Sequence, residues 1–103
     1  MNIEFKNKHL VDLYSKGKSK KYPLATNIIR KFFVVVAILE SANDIYDLWN
    51  EPPLKFEKLK GFDNRYSARL NQQYRLEMEI DWKNHEKTIG IILISEISKH
   101  YGG

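Results

Sequence analysis

Residues 65–82, RYSARLNQQYRLEMEIDW, carry the strongest structural pattern in the sequence. Apolar side chains fall on every second position of two runs, namely Tyr66, Ala68 and Leu70, then Tyr74, Leu76, Met78, Ile80 and Trp82. A period of two is typical of a β-strand that buries one face. The polar residues 71–73 between the runs supply a loop. The segment therefore predicts an antiparallel hairpin with one apolar and one polar face.

The register of this hairpin follows from keeping both apolar sets on the same face. A three-residue loop at 71–73 achieves this, and it places Arg69 directly opposite Arg75 on the polar face. Two like charges at such positions cost up to about 1 kcal/mol. An anionic ligand would relieve the repulsion. The alternative is that Glu77 and Glu79 neutralise the arginines, as on many solvated strands.

Helical spacing characterises the first half of the chain. Apolar residues predict a helix over residues 7–16, and Gly17 is suited to end it. Pro23 fits the first turn of a second helix. The core stripe of that helix comprises Ile28, Phe32, Val35 and Leu39. A further helical turn is expected over residues 44–49, before the prolines at 52–53 return the chain to extended structure.

Two more strands complete the predicted architecture. Residues 2–5 suit a short opening strand, and the apolar run at 88–97 suits a central strand covered on both faces. We therefore expect an α+β fold, in which the N-terminal strand and a two-helix hairpin pack on one face of a C-terminal antiparallel sheet. The opposite face is left for a ligand. Residues 1–103 are expected to form a single domain.

Composition narrows the class of protein. The longest apolar run has eight residues, 32–39, whereas a membrane-spanning helix needs about 20. The first ten residues carry charges where a secretory signal needs an apolar stretch, so we expect a cytoplasmic protein. There are no cysteines, which excludes disulfides and thiolate metal sites. His9 and His85 lack metal-site spacing, so we expect neither a metal nor another cofactor.

Positive charge favours a polyanionic partner. Seventeen basic residues against 13 acidic ones give a net charge of +4. Cationic density is high where the chain enters the hairpin, at Lys55, Lys58, Lys60 and Arg65. Arginine binds phosphate through two parallel hydrogen bonds, and lysine adds a movable point charge. The predicted polar face is thus suited to phosphoryl chemistry.

The segment PPLKFEKLKGFDNRYSARLNQQYRLEMEI, residues 52–80, resembles the HigB-type toxins of the RelE/ParE superfamily. The resemblance rests on LKG, Ser-x-Arg-x-Asn and aromatic-Arg-aliphatic motifs, and the opening FKNKHLVDLYSKG, residues 5–17, is similar to that group as well. It implies a RelE-like microbial RNase fold and a ribosome-dependent endoribonuclease that cuts translated mRNA. It also implies a neighbouring HigA-like helix-turn-helix antitoxin, a toxin that is monomeric when free, and a heterotetramer when bound.

The resemblance also assigns residues to the RNA-facing surface. Lys60, Arg69 and Arg75 match its basic catalytic positions, with the two arginines holding the scissile phosphate and the lysine assisting. The neighbouring basic residues expected to bind RNA are Lys55, Lys58, Arg65 and Lys99.

Proton transfer is expected near the carboxyl terminus. His100 and Tyr101 match a Tyr-His pair of the family in reversed order, and the tyrosine could also stack on a base. Glu57 stands where many relatives carry histidine, which leaves two alternatives open. One is a ParE-like inhibitor of DNA gyrase, and the other is a noncatalytic RNA-binding module, because fold alone does not fix function.

Overall fold

The computed structural model describes residues 1–99 as a mixed five-stranded sheet with three α-helices. The elements are β1 (Ile3–Phe5), α1 (Lys8–Lys16), α2 (Thr26–Ser41), α3 (Ile45–Trp49), a 3-10 turn (Pro52–Leu54), β2 (Glu57–Lys58), β3 (Tyr66–Arg69), β4 (Tyr74–Trp82) and β5 (Gly90–Lys99). The strand order is β1-β5-β4-β3-β2. The predicted α+β class is confirmed, although the sheet is not wholly antiparallel because β1 runs parallel to β5.

The β3–β4 hairpin has the predicted register. Arg69 pairs with Arg75, and the amide of Leu70 donates to the carbonyl of Tyr74 at 3.0 Å. The side-chain oxygen of Asn71 accepts hydrogen bonds from the amides of Gln73 and Tyr74, at 2.8 and 2.6 Å, which closes the loop. The hairpin is therefore fixed by its turn as well as by its apolar face.

Helix α1 begins and ends as its sequence predicts. The side-chain oxygen of Asn7 accepts from the amide of Leu10 at 3.0 Å, and the side-chain nitrogen of Asn7 donates to the carbonyl of Ser95 at 2.9 Å. Gly17 ends the helix with a φ of 74°, a left-handed conformation that favours glycine. The cap residue thus also fastens α1 to β5.

The predicted place of Pro23 in the first turn of α2 is wrong, because that helix begins at Thr26. Tyr22 is buried, and a tight turn centred on Pro23 is closed by the amide of Leu24, which donates to the carbonyl of Tyr22 at 2.8 Å. Because Tyr22 packs into the core and is followed by this turn, α2 begins at Thr26 and not near Pro23. The stripe of α2 is buried as predicted: Ile28, Phe32, Val35 and Leu39.

Strand β5 is central, but it is covered on one face only. Ile92 and Ile94 are fully buried, whereas Ile91 and Leu93 on the opposite face are half-buried. The expectation of two covered faces is therefore wrong. An apolar run alone does not reveal that every helix packs on the same side.

Within residues 1–99, no helix has the length and apolar character needed to cross a membrane.

An aromatic cluster holds the β2 edge of the sheet in place. Phe56 stacks on Tyr66 with ring centroids 5.4 Å apart, Trp49 packs edge-on against Phe56 at 4.8 Å, and Trp82 packs against Tyr66 at 6.3 Å. Both tryptophans are thus packing residues, as their positions at the ends of apolar segments indicate. The cluster fixes the strand that enters the candidate site.

Burial of two tyrosines predicts a loss of stability in alkali. Burial raises the pKa of Tyr66 and of Tyr22 above 10.0, so the unfolded chain ionises first. Their contribution is complete below about pH 10 and declines as pH rises through the folded pKa. We expect Tyr66→Phe to reduce this decline, measured by urea unfolding between about pH 8 and pH 11. Tyr46→Phe, at an exposed tyrosine, is the control. Equal slopes for the two variants would contradict the assignment.

Candidate functional site

Arg69 and Arg75 meet on the sheet face that lies opposite the helices. They are direct partners across β3 and β4, and Ser98 of β5 is the other neighbour of Arg75. The structure thus places the two arginines directly opposite each other across the hairpin, as the sequence predicts. Their closeness makes this end of the face the candidate site.

Arg75 is held more tightly than the sequence suggests. It is only 8% exposed, its Nε donates to Ser67 Oγ at 2.9 Å, and its Nη2 donates to the carbonyl of Lys55 at 2.7 Å. The same Nη2 lies 3.4 Å from Glu57 Oε1. The expectation of a wholly open polar face is therefore wrong here, because β2 and the residues before it cover the guanidinium. Within residues 1–99, its Nη1 has no hydrogen-bond partner.

Arg69 has a different environment. Its side chain is partly exposed, and it makes no ion pair with any residue between 1 and 99. The site therefore combines one fixed guanidinium with one that can adjust. A doubly negative or transiently charged phosphate group suits such a pair.

Glu57 is the acidic member of the site. It pairs with Ser67 in the β2–β3 register, its side chain is 50% exposed, and its carboxylate contacts Arg75. Sequence reasoning treated this residue only as a departure from a family pattern. The available signal was a lone carboxylate between Lys55 and Lys58. That signal does not indicate a contact with Arg75. The contact arises because the pairing of β2 with β3 places Glu57 beside this arginine.

Arg65 is bound internally. Its guanidinium nitrogens lie 2.7 Å from Glu77, 3.6 Å from Glu79 and 2.8 Å from Glu96, and its side chain is only 18% exposed. Burial alone lowers the pKa of Arg65, but hydrogen bonds and attraction from Glu77 and Glu96 outweigh it and raise the pKa. Neutralisation by the strand glutamates, the alternative raised above, therefore applies to this arginine. The structure does not present it as a free cation.

The predicted RNA-binding lysines are exposed but divided between surfaces. Lys58 pairs with Tyr66, so it lies on the opposite side of β2 from Glu57. Lys60 is exposed in the following loop, and Lys99 is exposed at the end of β5. Lys55 contributes its backbone carbonyl, which accepts a hydrogen bond from Arg75. His100 and Tyr101 lie outside the described residues.

A family model for the RelE-like toxin HigB of type II toxin-antitoxin systems matches residues 3–89. The chain belongs to the HigB-like toxin family. Because a type II toxin is paired with an antitoxin, membership of this family implies an antitoxin partner for the chain. The fold agrees with the solved YoeB dimer from Staphylococcus aureus, which shares 24% identity over 98% of both chains with a TM-score of 0.55. No curated protein sequence matches the chain.

The acidic residues of this toxin do not form a metal centre within the described part of the chain. No group of three or more His, Cys, Asp or Glu side chains among residues 1–99 is arranged to hold a metal ion. The carboxylates of the arginine face are instead engaged with cations, as for Glu77 with Arg65 and Glu57 with Arg75.

The support of Arg75 by Ser67 predicts a stability loss on truncation. In Ser67→Ala, the buried Nε loses its acceptor, which costs about 1–3 kcal/mol because a desolvated donor is left unpaired. Urea unfolding at neutral pH measures the change. Ser98→Ala is the matched control, since this half-buried serine also neighbours Arg75 but makes no side-chain hydrogen bond within residues 1–99. Equal stabilities of the two variants would show that the Ser67 contact contributes nothing.

Proposed function

We propose that this HigB-like toxin is a ribosome-dependent endoribonuclease that cleaves mRNA without a metal and thereby inhibits translation. The proposal rests on one observation, the placement of Arg69 directly opposite Arg75 on the sheet face away from the helices. Family membership supports it, because the matching family model describes a RelE-like toxin of a type II toxin-antitoxin system.

The arginine pair supplies the phosphate site. Negative charge grows on the phosphate oxygens during cleavage, and preorganised cationic donors stabilise that charge. Arg75 is preorganised by its contacts with Ser67 and Lys55. Its Nη1 makes no hydrogen bond within residues 1–99 and is the donor that we propose for the phosphate. Arg69 completes the pair from the neighbouring strand. Lys60 assists them, and the exposed Lys55 binds an adjoining phosphate. Lys58 and Lys99 lie on the other face of their strands, so we propose that they bind RNA backbone further from the cleaved bond.

Proton transfer requires an acceptor and a donor. The ribose 2′-oxygen loses its proton, attacks the adjacent phosphorus, and the bond from phosphorus to the 5′-oxygen breaks. Glu57, half-exposed beside Arg75, is the acceptor that we propose. His100 or Tyr101 returns a proton to the departing 5′-oxygen, and the tyrosine can also stack on a base. The products are a 2′,3′-cyclic phosphate and a 5′-hydroxyl.

The biological setting follows from the family. We propose that the toxin acts in the cytoplasm on ribosome-bound mRNA and is inhibited by a HigA-like helix-turn-helix antitoxin. We further propose that the free toxin is a monomer and that the inhibited complex is a heterotetramer. Size-exclusion chromatography with light scattering, with and without the protein encoded by the neighbouring gene, tests both states.

Arg69→Gln is the sharpest test of the nuclease. This arginine makes no ion pair within residues 1–99, so its loss should leave the fold intact, whereas Arg75→Ala would also disturb the structure. We expect cleavage to fall about 100- to 1,000-fold, as for removal of one transition-state donor. The measurement is mapping of mRNA 5′ ends after induced expression. Arg30→Gln, at an exposed arginine of α2, is the control.

Two further assays of the wild type, inhibition of purified gyrase and binding of RNA, separate the two other functions from the nuclease. Intact mRNA together with arrest of purified gyrase would establish the ParE-like alternative. RNA binding with no cleavage in the wild type would establish a noncatalytic RNA-binding module. Either result would overturn the proposed nuclease.

Glu57→Gln tests the proton acceptor. The amide keeps the size of the side chain but cannot take up the proton, so we expect cleavage to fall about 100-fold or more with RNA affinity retained. Glu86→Gln, in an exposed loop, is the control. Undiminished cleavage by Glu57→Gln would show that Glu57 only pairs with Arg75.

A further inference from the structure

Helix α3 presents two large aromatic side chains to solvent. Tyr46 is 58% exposed and Trp49 is 43% exposed, and their spacing of three residues makes them neighbours on the outer side of the helix. The ring of Trp49 is fixed by its edge-on contact with Phe56, whereas no aromatic ring within residues 1–99 packs against Tyr46. Tyrosine and tryptophan are enriched where proteins bind one another. The outer side of α3 therefore has the composition of a protein-binding surface.

A groove of about 310 Å³ separates α3 from the end of α2. It is lined by Ile38, Ser41 and Ala42 of α2, and by Asp47, Leu48 and Glu51 from α3 and the residues that follow it. Ile38 is half-buried, and Val34, one turn earlier on α2, is exposed. The groove thus combines apolar side chains on one wall with two carboxylates on the other.

The charge of this region is opposite to that of the molecule as a whole. Residues 44–51, DIYDLWNE, contain three acidic side chains and no basic one, whereas the rest of the chain contains seventeen basic and ten acidic side chains. Within residues 1–99, none of the three carboxylates makes an ion pair. Asp44 and Asp47 accept hydrogen bonds from backbone amides, which orient them without neutralising them. The surface, which we call the α3 surface, comprises Ile38, Asp44, Tyr46, Asp47, Trp49 and Glu51.

The chemistry of the α3 surface selects a basic protein segment. Like charges that face each other across an interface cost several kcal/mol, so the surface is unsuited to RNA. A lysine or arginine side chain fits the groove, because its aliphatic stem can pack on Ile38 while its charge reaches Asp47 or Glu51. An apolar residue beside that cation can pack on the exposed rings of Tyr46 and Trp49.

We propose that the α3 surface binds a segment of the antitoxin that carries both basic and apolar side chains. The inference rests on the antitoxin partner that family membership implies, and it does not depend on the proposed cleavage of RNA. The helices pack on one side of the sheet, whereas Arg69 and Arg75 pair on the other side. The α3 surface is therefore separate from the phosphate site.

The first test removes an exposed ring. Tyr46→Ser is compared with Phe62→Ser, at a phenylalanine that is 55% exposed in the loop before β3. The probe is the purified protein encoded by the neighbouring gene, and its affinity for each variant is measured by titration calorimetry. We expect Tyr46→Ser to bind about tenfold more weakly or worse, because such a tyrosine often dominates an interface, and Phe62→Ser to bind like the wild type. Urea unfolding of both variants checks that the fold is retained.

The second test reverses a charge. Glu51→Lys is compared with Glu4→Lys, which makes the same change in net charge at an exposed residue of β1. Neither glutamate makes an ion pair within residues 1–99. Stopped-flow association with the same protein is measured at several KCl concentrations. We expect Glu51→Lys to associate about tenfold more slowly at low salt, with a difference that shrinks as salt is added, because opposite charges steer the encounter. Glu4→Lys should differ much less.

Each result decides for or against the α3 surface. Unchanged affinity in Tyr46→Ser, with an unchanged association rate in Glu51→Lys, overturns it, as does a wild type that does not bind the neighbouring protein. Faster association of Glu51→Lys also overturns it, because the bound segment would then be acidic. If these two variants bind the antitoxin normally but bind purified ribosomes more weakly, the surface contacts a basic ribosomal protein instead. Failure of the nuclease is distinguishable, since a wild type that cleaves no mRNA leaves the antitoxin measurements unaffected.

Discussion

The buried guanidinium of Arg75 is the interaction on which the site depends. It joins β4 to Ser67 in β3, to the backbone before β2 and to the carboxylate of Glu57. Burying a cation is costly unless its hydrogen bonds are satisfied, so these partners are required rather than incidental. The aromatic cluster under β2 makes the arrangement possible, because it keeps the short edge strand against the sheet.

Local patterns predicted the hairpin and its register well. Alternation of side chains over residues 65–82 is sufficient to place Arg69 opposite Arg75, since a shift by one residue would turn the apolar face outwards. Helix α1, with its ends at Asn7 and Gly17, and the buried stripe of α2 were equally accessible from spacing, whereas the start of α2 was not. In these elements, the residues that determine the structure are close to one another in the chain.

Long-range packing explains what the sequence did not show. The turn at Pro23 depends on burial of Tyr22, and the constraint on Arg75 depends on a carbonyl 20 residues away. Charge is the clearest case. Arg65 lies in a basic stretch, yet Glu77 and Glu96 from two other strands neutralise it. Local charge density therefore overstated the basic character of the sheet face.

The parallel pairing of β1 with β5 has a consequence for the newly made protein. Ile3 pairs with Ile92, so β1 cannot form its pairing until a segment about 90 residues further along the chain is available. Contacts of such wide separation form late in folding, because closing so long a loop is entropically unfavourable. While the chain is being synthesised, α1 and the hairpin can form, but the sheet stays incomplete until β5 has emerged. The complete sheet therefore forms only after β5 has been synthesised and can reach β1.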